Sequence, residues 1–466
     1  MSAFRQQLST TGDLVLRPGQ VLLPEGPRSG KAIVVRDGIF HRIDTVEAIA
    51  RDFPEILSID LPDHLLMPGF IDTHTHLTQS LGKALVFGEP SEIFRRVWVP
   101  LEGSLNERMV YLSAKLAAWE ALRGGFTTAV DAGTRSKGHV GALVRAAGEV
   151  GLRSVVGFIC NDLSGSAEIA EPAAILRLAE EHVSAYRRNP LIHPSLAISI
   201  PEAATDGMLR AVSDMAAASG AVFQTHVNEH LVAVERSLAA RGRRPIEHLA
   251  DLGVLGPQVL LAHSTLVTPH ELNLLRETGT AVAYNPVATL WKGNAVAPAL
   301  QMAALGIRFG LGTDGTRADA FRLMDAAEGL QRAGFGLATG DSSCGGGWLW
   351  LDRATSGAAD AAGLSGVTGS ITEGLAADFL LVDLDRPEFT PSHDLTWELV
   401  RYGNRDQIDA VFTGGELRLW QGWPIDWDAR AFLEEVRGET ATAIAEAPIQ
   451  RIHPLSEAHR RLGQYQ

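Results

Sequence analysis

Residues 68–76 read Pro-Gly-Phe-Ile-Asp-Thr-His-Thr-His, an apolar run that turns polar toward its end. Side chains alternate faces along an extended strand, so His74 and His76 point to the same side. Two imidazoles on one face make half of a metal site. Apolar stretch 66–74 is also the first of a series of strand-like runs, continued by 127–131, 154–160, 196–200, 222–226, 259–263, 281–284 and 307–311. Helical patterns at 106–123, 173–186, 207–218 and 268–277 fall between them, as parallel strands with crossover helices require. Eight such units predict an α/β fold, a closed (β/α)8 TIM-like barrel. The alternative is an open doubly wound sheet, which usually has fewer strands.

Outside the barrel pattern, 11–66 holds short alternating or apolar runs broken by Gly and Pro, and a matching set appears at 379–382 and 410–412. Chain ends often meet in space. The expected organisation is therefore a composite β-sandwich domain from 1–66 with 366–425, a catalytic barrel over 67–365, and a helical tail over 426–466.

Composition narrows the function. With 466 residues, 45% of them hydrophobic, the chain can bury a large core, which excludes disorder. A net charge of -14 repels a phosphate backbone, and no basic patch offsets it, so no nucleic-acid partner is expected. Two cysteines, Cys160 and Cys344, are too few for a disulfide framework or a cysteine zinc cluster and fit a reducing compartment. The first residues lack a secretory pattern, and the most apolar span, 295–307, is interrupted by Pro298 and Gln301. The expectation is a cytoplasmic protein with no membrane partner.

Further ligand-type residues recur at strand ends. His226 closes the fifth run, His263 closes the sixth, and Asp314 follows the eighth in Leu311-Gly312-Thr313-Asp314-Gly315. Barrel enzymes build their active sites on that C-terminal face. Satisfied core histidines and a turn aspartate are the bland alternative, but such repeated placement favours a metal site. The remaining histidines, His182 among them, fall in helical or loop stretches and are read as facing solvent.

From about 12 to 420 the chain resembles the amidohydrolase superfamily, in the branch holding cytosine, guanine and S-adenosylhomocysteine deaminases and triazine hydrolases. The likeness rests on Pro-Gly-Phe-Ile-Asp-Thr-His-Thr-His at 68–76, His-Val-Asn-Glu at 226–229, Ala-His-Ser at 262–264, Gly-Thr-Asp-Gly at 312–315, and the return to the β domain over 369–384. It implies that His74, His76, His226 and Asp314 bind one divalent metal. Glu229 and His263 then stay outside the metal shell as proton-transfer residues, with Asp314 also counted as catalytic. Three imidazoles and a carboxylate suit zinc, with iron(II) as the other candidate, and such a metal lowers the pKa of water from about 15.7 to near 7. A separate acid/base group must move the protons. Two-metal relatives use a lysine at the end of the fourth strand, where this chain reads Ser199-Ile200-Pro201-Glu202. Only a bridging Glu202 would keep an amidase-like alternative open.

Departures from the family concentrate around the pocket. Many deaminases of this branch place a His after the fourth-strand Pro, where this chain has Glu202. After the seventh strand, Asn285-Pro286-Val287-Ala288-Thr289-Leu290-Trp291 replaces N-P-x-S-N-x-K, and Ala318-Asp319-Ala320 replaces S-N-N. Gln79, Glu202, Arg317 and Asp319 are the candidate substrate residues, with Lys83 beside them; loop salt bridging is the competing reading. The Gly-rich stretch 341–350 lacks phosphate-loop spacing and is expected to be a lid or an ordinary long loop.

The reading is a metal-dependent hydrolase, an aminohydrolase that releases ammonia from an amine-bearing nitrogen heterocycle by attack of a metal-activated water. The alternatives are hydrolysis of another C–N or C–Cl bond, in a cyclic amide, an imide or a substituted triazine, and a silent binding scaffold. A small-molecule heterocycle is the expected partner, and a homo-oligomer the default assembly.

Overall fold

The computed structural model of the protein describes residues 8, 12–89, 93–136, 140–163, 171–340, 343–453 and 456–461. Its centre is an eight-stranded sheet whose strands follow one another in chain order. They are Phe70–Thr75, Phe126–Asp131, Arg153–Ile159, Ile192–Ile198, Val222–Val227, Val259–His263, Ala281–Tyr284 and Phe309–Leu311, each parallel to its neighbour. The seam between last and first strands is joined just past the last strand, where the Asp314 N–H donates to the His74 carbonyl at 2.8 Å. Beside it the Thr313 hydroxyl donates to Asp72 at 2.5 Å.

Period-2 alternation divides most of the strands between two cores. Val155, Val222, Leu260 and Ala281 join an inner cluster with Ala358 and Leu364, whereas the next residues, Val156, Phe223, Leu261 and Val282, join the outer core. The inner cluster also contains Ile71 and Val130, and side chains from so many strands meet only inside a barrel. Around the sheet, helices start and stop on local signals. The helix Pro269–Thr278 begins with a capping box of Thr268 and Glu271 and ends at left-handed Gly279. Thr268→Ala removes one cap bond and should cost about 1 kcal/mol, lowering Tm by about 1 °C in a chain of this size. Thermal melting with unchanged metal content checks this.

Both chain ends contribute to one nine-stranded sheet. Ser58–Pro68 from the N-terminal part pairs antiparallel with Phe379–Asp383 from the C-terminal part. The sheet is tied to the barrel by a buried ion pair, Arg153 Nε to Asp378 Oδ2 at 2.6 Å, with both side chains no more than 3% exposed. Asp378 also accepts from the Gly414 N–H and the Thr368 hydroxyl, so its remaining capacity is used.

Several expectations need correction. Stretch 66–74 is not one strand: residues up to Pro68 belong to the terminal sheet, and the barrel strand starts at Phe70. Gly69 makes the crossing because a Cβ there would lie 2.0 Å from Thr127 Oγ1. His182 does not face solvent; it is buried on the inner side of Pro172–Tyr186, 3.0 Å from the Val156 carbonyl. Part of 341–350 is helix, Gly346–Ala354, anchored by buried Trp350, whose indole N–H donates to the Cys344 carbonyl. Asp341 and Ser342 lie outside the described residues. In the tail, helix Ala429–Glu446 is followed by a segment that returns to the barrel.

Candidate active site

At the C-terminal mouth of the barrel, the first strand delivers His74 and His76, the fifth His226, the sixth His263, and the turn after the eighth Asp314. Backbone strain gathers here. Asn228, His263, Ser264 and Asp314 are non-glycine residues with φ of 51°, 73°, 49° and 55°. Such left-handed residues persist only where surrounding bonds impose them. Asp314 is held through its N–H to His74, and Ser264 through its N–H to the Val227 carbonyl.

His74 Nε2 lies 3.5 Å, and His76 Nε2 3.4 Å, from Asp314 Oδ1, while His76 Nε2 and His226 Nε2 are 3.4 Å apart. A ligand shell of about 2.1 Å radius with tetrahedral to trigonal angles has edges of about 3.4–3.6 Å, which these separations match. His226 Nδ1 lies 2.7 Å from the Ser199 carbonyl, which as an acceptor fixes the proton on Nδ1 and turns the Nε2 lone pair inward. His74 Nε2 is buried without a hydrogen-bond partner. An orphaned, inward-facing nitrogen among these donors fits a single divalent cation.

Burial pushes the pKa of His76 and, with repulsion from the neighbouring histidines, that of His226 below the ordinary value. Asp314 is held well below the carboxylate range because Lys292 and the histidines outweigh its desolvation. Neutral imidazoles and an ionised carboxylate are the protonation states that ligation needs.

Glu229 and His263 sit beside this group, 3.8 Å apart between Oε2 and Nε2. Burial brings His263 down to about 4, and the Asn285 amide lies 3.2 Å from its Nδ1. Burial alone would raise Glu229, but His263 and Lys292 bring it down to about 2. Lys292 was not anticipated. Its Nζ lies 2.7 Å from Glu229 Oε1 and 2.5 Å from Asp314 Oδ2, and both carboxylates hold its pKa above the ordinary value despite burial. Its signal lay one residue past the Asn285–Trp291 stretch, displaced from the lysine of the family pattern.

The cleft has a lobe of about 580 Å³ over the histidines, walled by Phe94, Trp98 and Trp291. A second lobe of about 610 Å³ lies toward Arg95, Glu202 and Arg236, and His230 lines both. Gln79 lines the first lobe and is 4% exposed. Glu202 lines the second, its Oε1 buried without a hydrogen-bond partner. Other candidates fall elsewhere. Arg317 is exposed and outside both lobes. Asp319 caps the helix Ala320–Thr339 by accepting from the Arg322 N–H, since a short carboxylate at a helix start meets the free amides first. Lys83 pairs with Glu120.

Residues 65–418 match the model of the amidohydrolase family. A 5-methylthioadenosine/S-adenosylhomocysteine deaminase of Syntrophobacter fumaroxidans is 29% identical, the match covering 92% of this chain and 98% of the relative. A 5'-deoxyadenosine deaminase of Methanopyrus kandleri is 27% identical over 92% and 97%. Among solved structures, an adenosine deaminase from Xanthomonas campestris with bound zinc superposes with a TM-score of 0.85 at 25% identity, covering 93% of this chain and 99% of that one. A zinc-complexed atrazine chlorohydrolase of Arthrobacter aurescens shares the fold, with a TM-score of 0.81 at 20% identity over 92% and 100%.

Proposed function

Because the chain belongs to the amidohydrolase family, we propose that it is a metal-dependent aminohydrolase that removes the exocyclic amine of a purine-type ring, carried as a nucleoside, as ammonia. The observation that carries this reading is the convergence of His74, His76, His226 and Asp314, with Glu229 and His263 beside them. The deaminases among its relatives support the reaction type.

In this reading His74, His76, His226 and Asp314 hold the ion. Zinc is favoured over iron(II) by the nitrogen-rich donor set and the zinc in the Xanthomonas structure. When bound, the ion lowers the pKa of a water toward about 7. Glu229 accepts a proton from the attacking water and delivers it to the departing nitrogen. Lys292, 2.7 Å away, orients that carboxylate. His263, its Nδ1 held beside Asn285, aims Nε2 into the site to stabilise charge developing at the attacked carbon. Phe94, Trp98 and Trp291 offer flat faces to a ring. Gln79 and Glu202 are the proposed substrate contacts.

Ammonia release from adenosine, 5'-deoxyadenosine, guanine and amino-triazines, run separately on zinc- and iron-loaded protein, tests the proposal. Ring opening or chloride release without ammonia would reject it. Glu202→Gln should raise KM by about tenfold with kcat little changed, as for a lost hydrogen bond to a charged group of about 1.5 kcal/mol. An unchanged KM would remove Glu202 from the substrate site.

No helix among the described residues is long and apolar enough to cross a membrane. The low cysteine content, two buried residues, suits the cytoplasm. A homo-oligomer is the assembly to be checked by light scattering.

A further inference from the structure

The Glu89 side chain is fully buried, yet its residue lines the cleft. Its hydrogen-bond partners come largely from the far end of the chain. Oε2 accepts from the Arg96 guanidinium at 2.7 Å and from the Ile452 N–H at 3.0 Å. Oε1 accepts from the His453 N–H at 3.1 Å, with the Arg451 guanidinium at 3.3 Å. Contacts also run the other way. The Gln450 N–H donates to the Arg96 carbonyl at 2.9 Å, Arg96 Nη1 donates to the Gln450 carbonyl at 3.0 Å, and Arg451 donates to the Leu85 carbonyl. Burial opposes ionisation of Glu89, but the Ile452 and His453 amides and the arginines hold its pKa below the ordinary glutamate value.

An apolar layer continues the attachment. Ile444, Ala447 and Ile449 pack on a cluster that contains Ile93 and Trp98, and Trp291 packs on that same cluster. These last three side chains also line the lobe over the histidines. The tail therefore supports the back of the wall whose front faces the cleft. Two consecutive backbone amides aimed at one buried carboxylate make a specific clamp, since leaving such a carboxylate unpaired would cost several kcal/mol.

We propose that segment 447–453 is a working part of the substrate pocket: clamped on Glu89, it sets the position of the Ile93, Trp98 and Trp291 wall, and Glu89 is a positioning residue for the substrate ring. This rests on the reading of the cleft as the substrate site.

The test compares Glu89→Gln, Arg451→Ala, a chain ended after Glu446, and that truncation combined with Glu89→Gln. Metal content, kcat and KM with adenosine, and hydrogen exchange of 93–104 and 286–294 are measured. Metal should be retained, and KM should rise by about tenfold or more with kcat within about threefold, as expected for a displaced binding wall. Exchange should quicken in both stretches but not in the fifth barrel strand. The combined variant should match the truncation alone, because both break one clamp. Additive effects, unchanged exchange, or kcat falling together with metal would overturn the proposal. Should the truncated chain fail to fold, the two point variants decide by the same readouts. The exchange measurement needs no substrate, so it decides the clamp even where the unaltered enzyme releases no ammonia from adenosine, a result that would count against the proposed function alone.

Discussion

His226→Ala is expected to lose nearly all bound metal, and with it measurable ammonia release. The same holds for alanine at His74, His76 or Asp314. An open catalytic site holds its ion with few ligands, and each of these residues supplies one atom to a group whose donor atoms all lie within 4.8 Å of one another. His263→Ala should behave differently, keeping the metal while losing activity, because the group of His74, His76, His226 and Asp314 supplies four donor atoms without it. Elemental analysis of the purified variants decides. If His263→Ala lost metal as completely as His226→Ala, His263 would itself be a metal ligand, as its donor atom close to those of Glu229 and Asp314 would allow.

Glu229→Gln should keep the fold and the metal, since the change is nearly isosteric and the amide oxygen can still accept from Lys292. Turnover should nevertheless collapse. An amide can neither take the proton of the attacking water nor deliver one to the leaving nitrogen, and a positioned general acid/base contributes about 10² to 10⁴ in rate. That is about 3 to 5 kcal/mol of barrier. The loss should appear in kcat rather than KM, because the proton is in motion only in the transition state. A Glu229→Gln enzyme with full metal and turnover within about threefold of the unaltered one would leave His263 as the proton carrier.

Lys292 bears on both predictions, because it touches a ligand carboxylate and the proposed proton carrier at once. It lies at the end of the helix Pro286–Lys292, where moving a residue by one position turns its side chain by about 100°. Spacing in the family pattern therefore pointed away from it. Asp319 shows the converse: it lies near a catalytic strand end in sequence, yet the helix start behind it holds its carboxylate.

The barrel, the His74 and His76 pair, and the strand-end positions of His226, His263 and Asp314 were legible along the chain, because they follow from periods of two and 3.6 set by backbone stereochemistry over a few residues. Even there, the break at Gly69 has no local signal, since Thr127 and the partner strand Phe379–Asp383 that impose it lie far off in sequence. The pocket walls were decided only by the folded chain. Glu89 meets Ile452 across 363 residues, and Lys292 meets Glu229 across 63. No local periodicity encodes such pairings. They depend on how loops at the barrel mouth and a returning tail satisfy buried charges and pack their apolar faces, and those demands arise only once the barrel has brought the segments together.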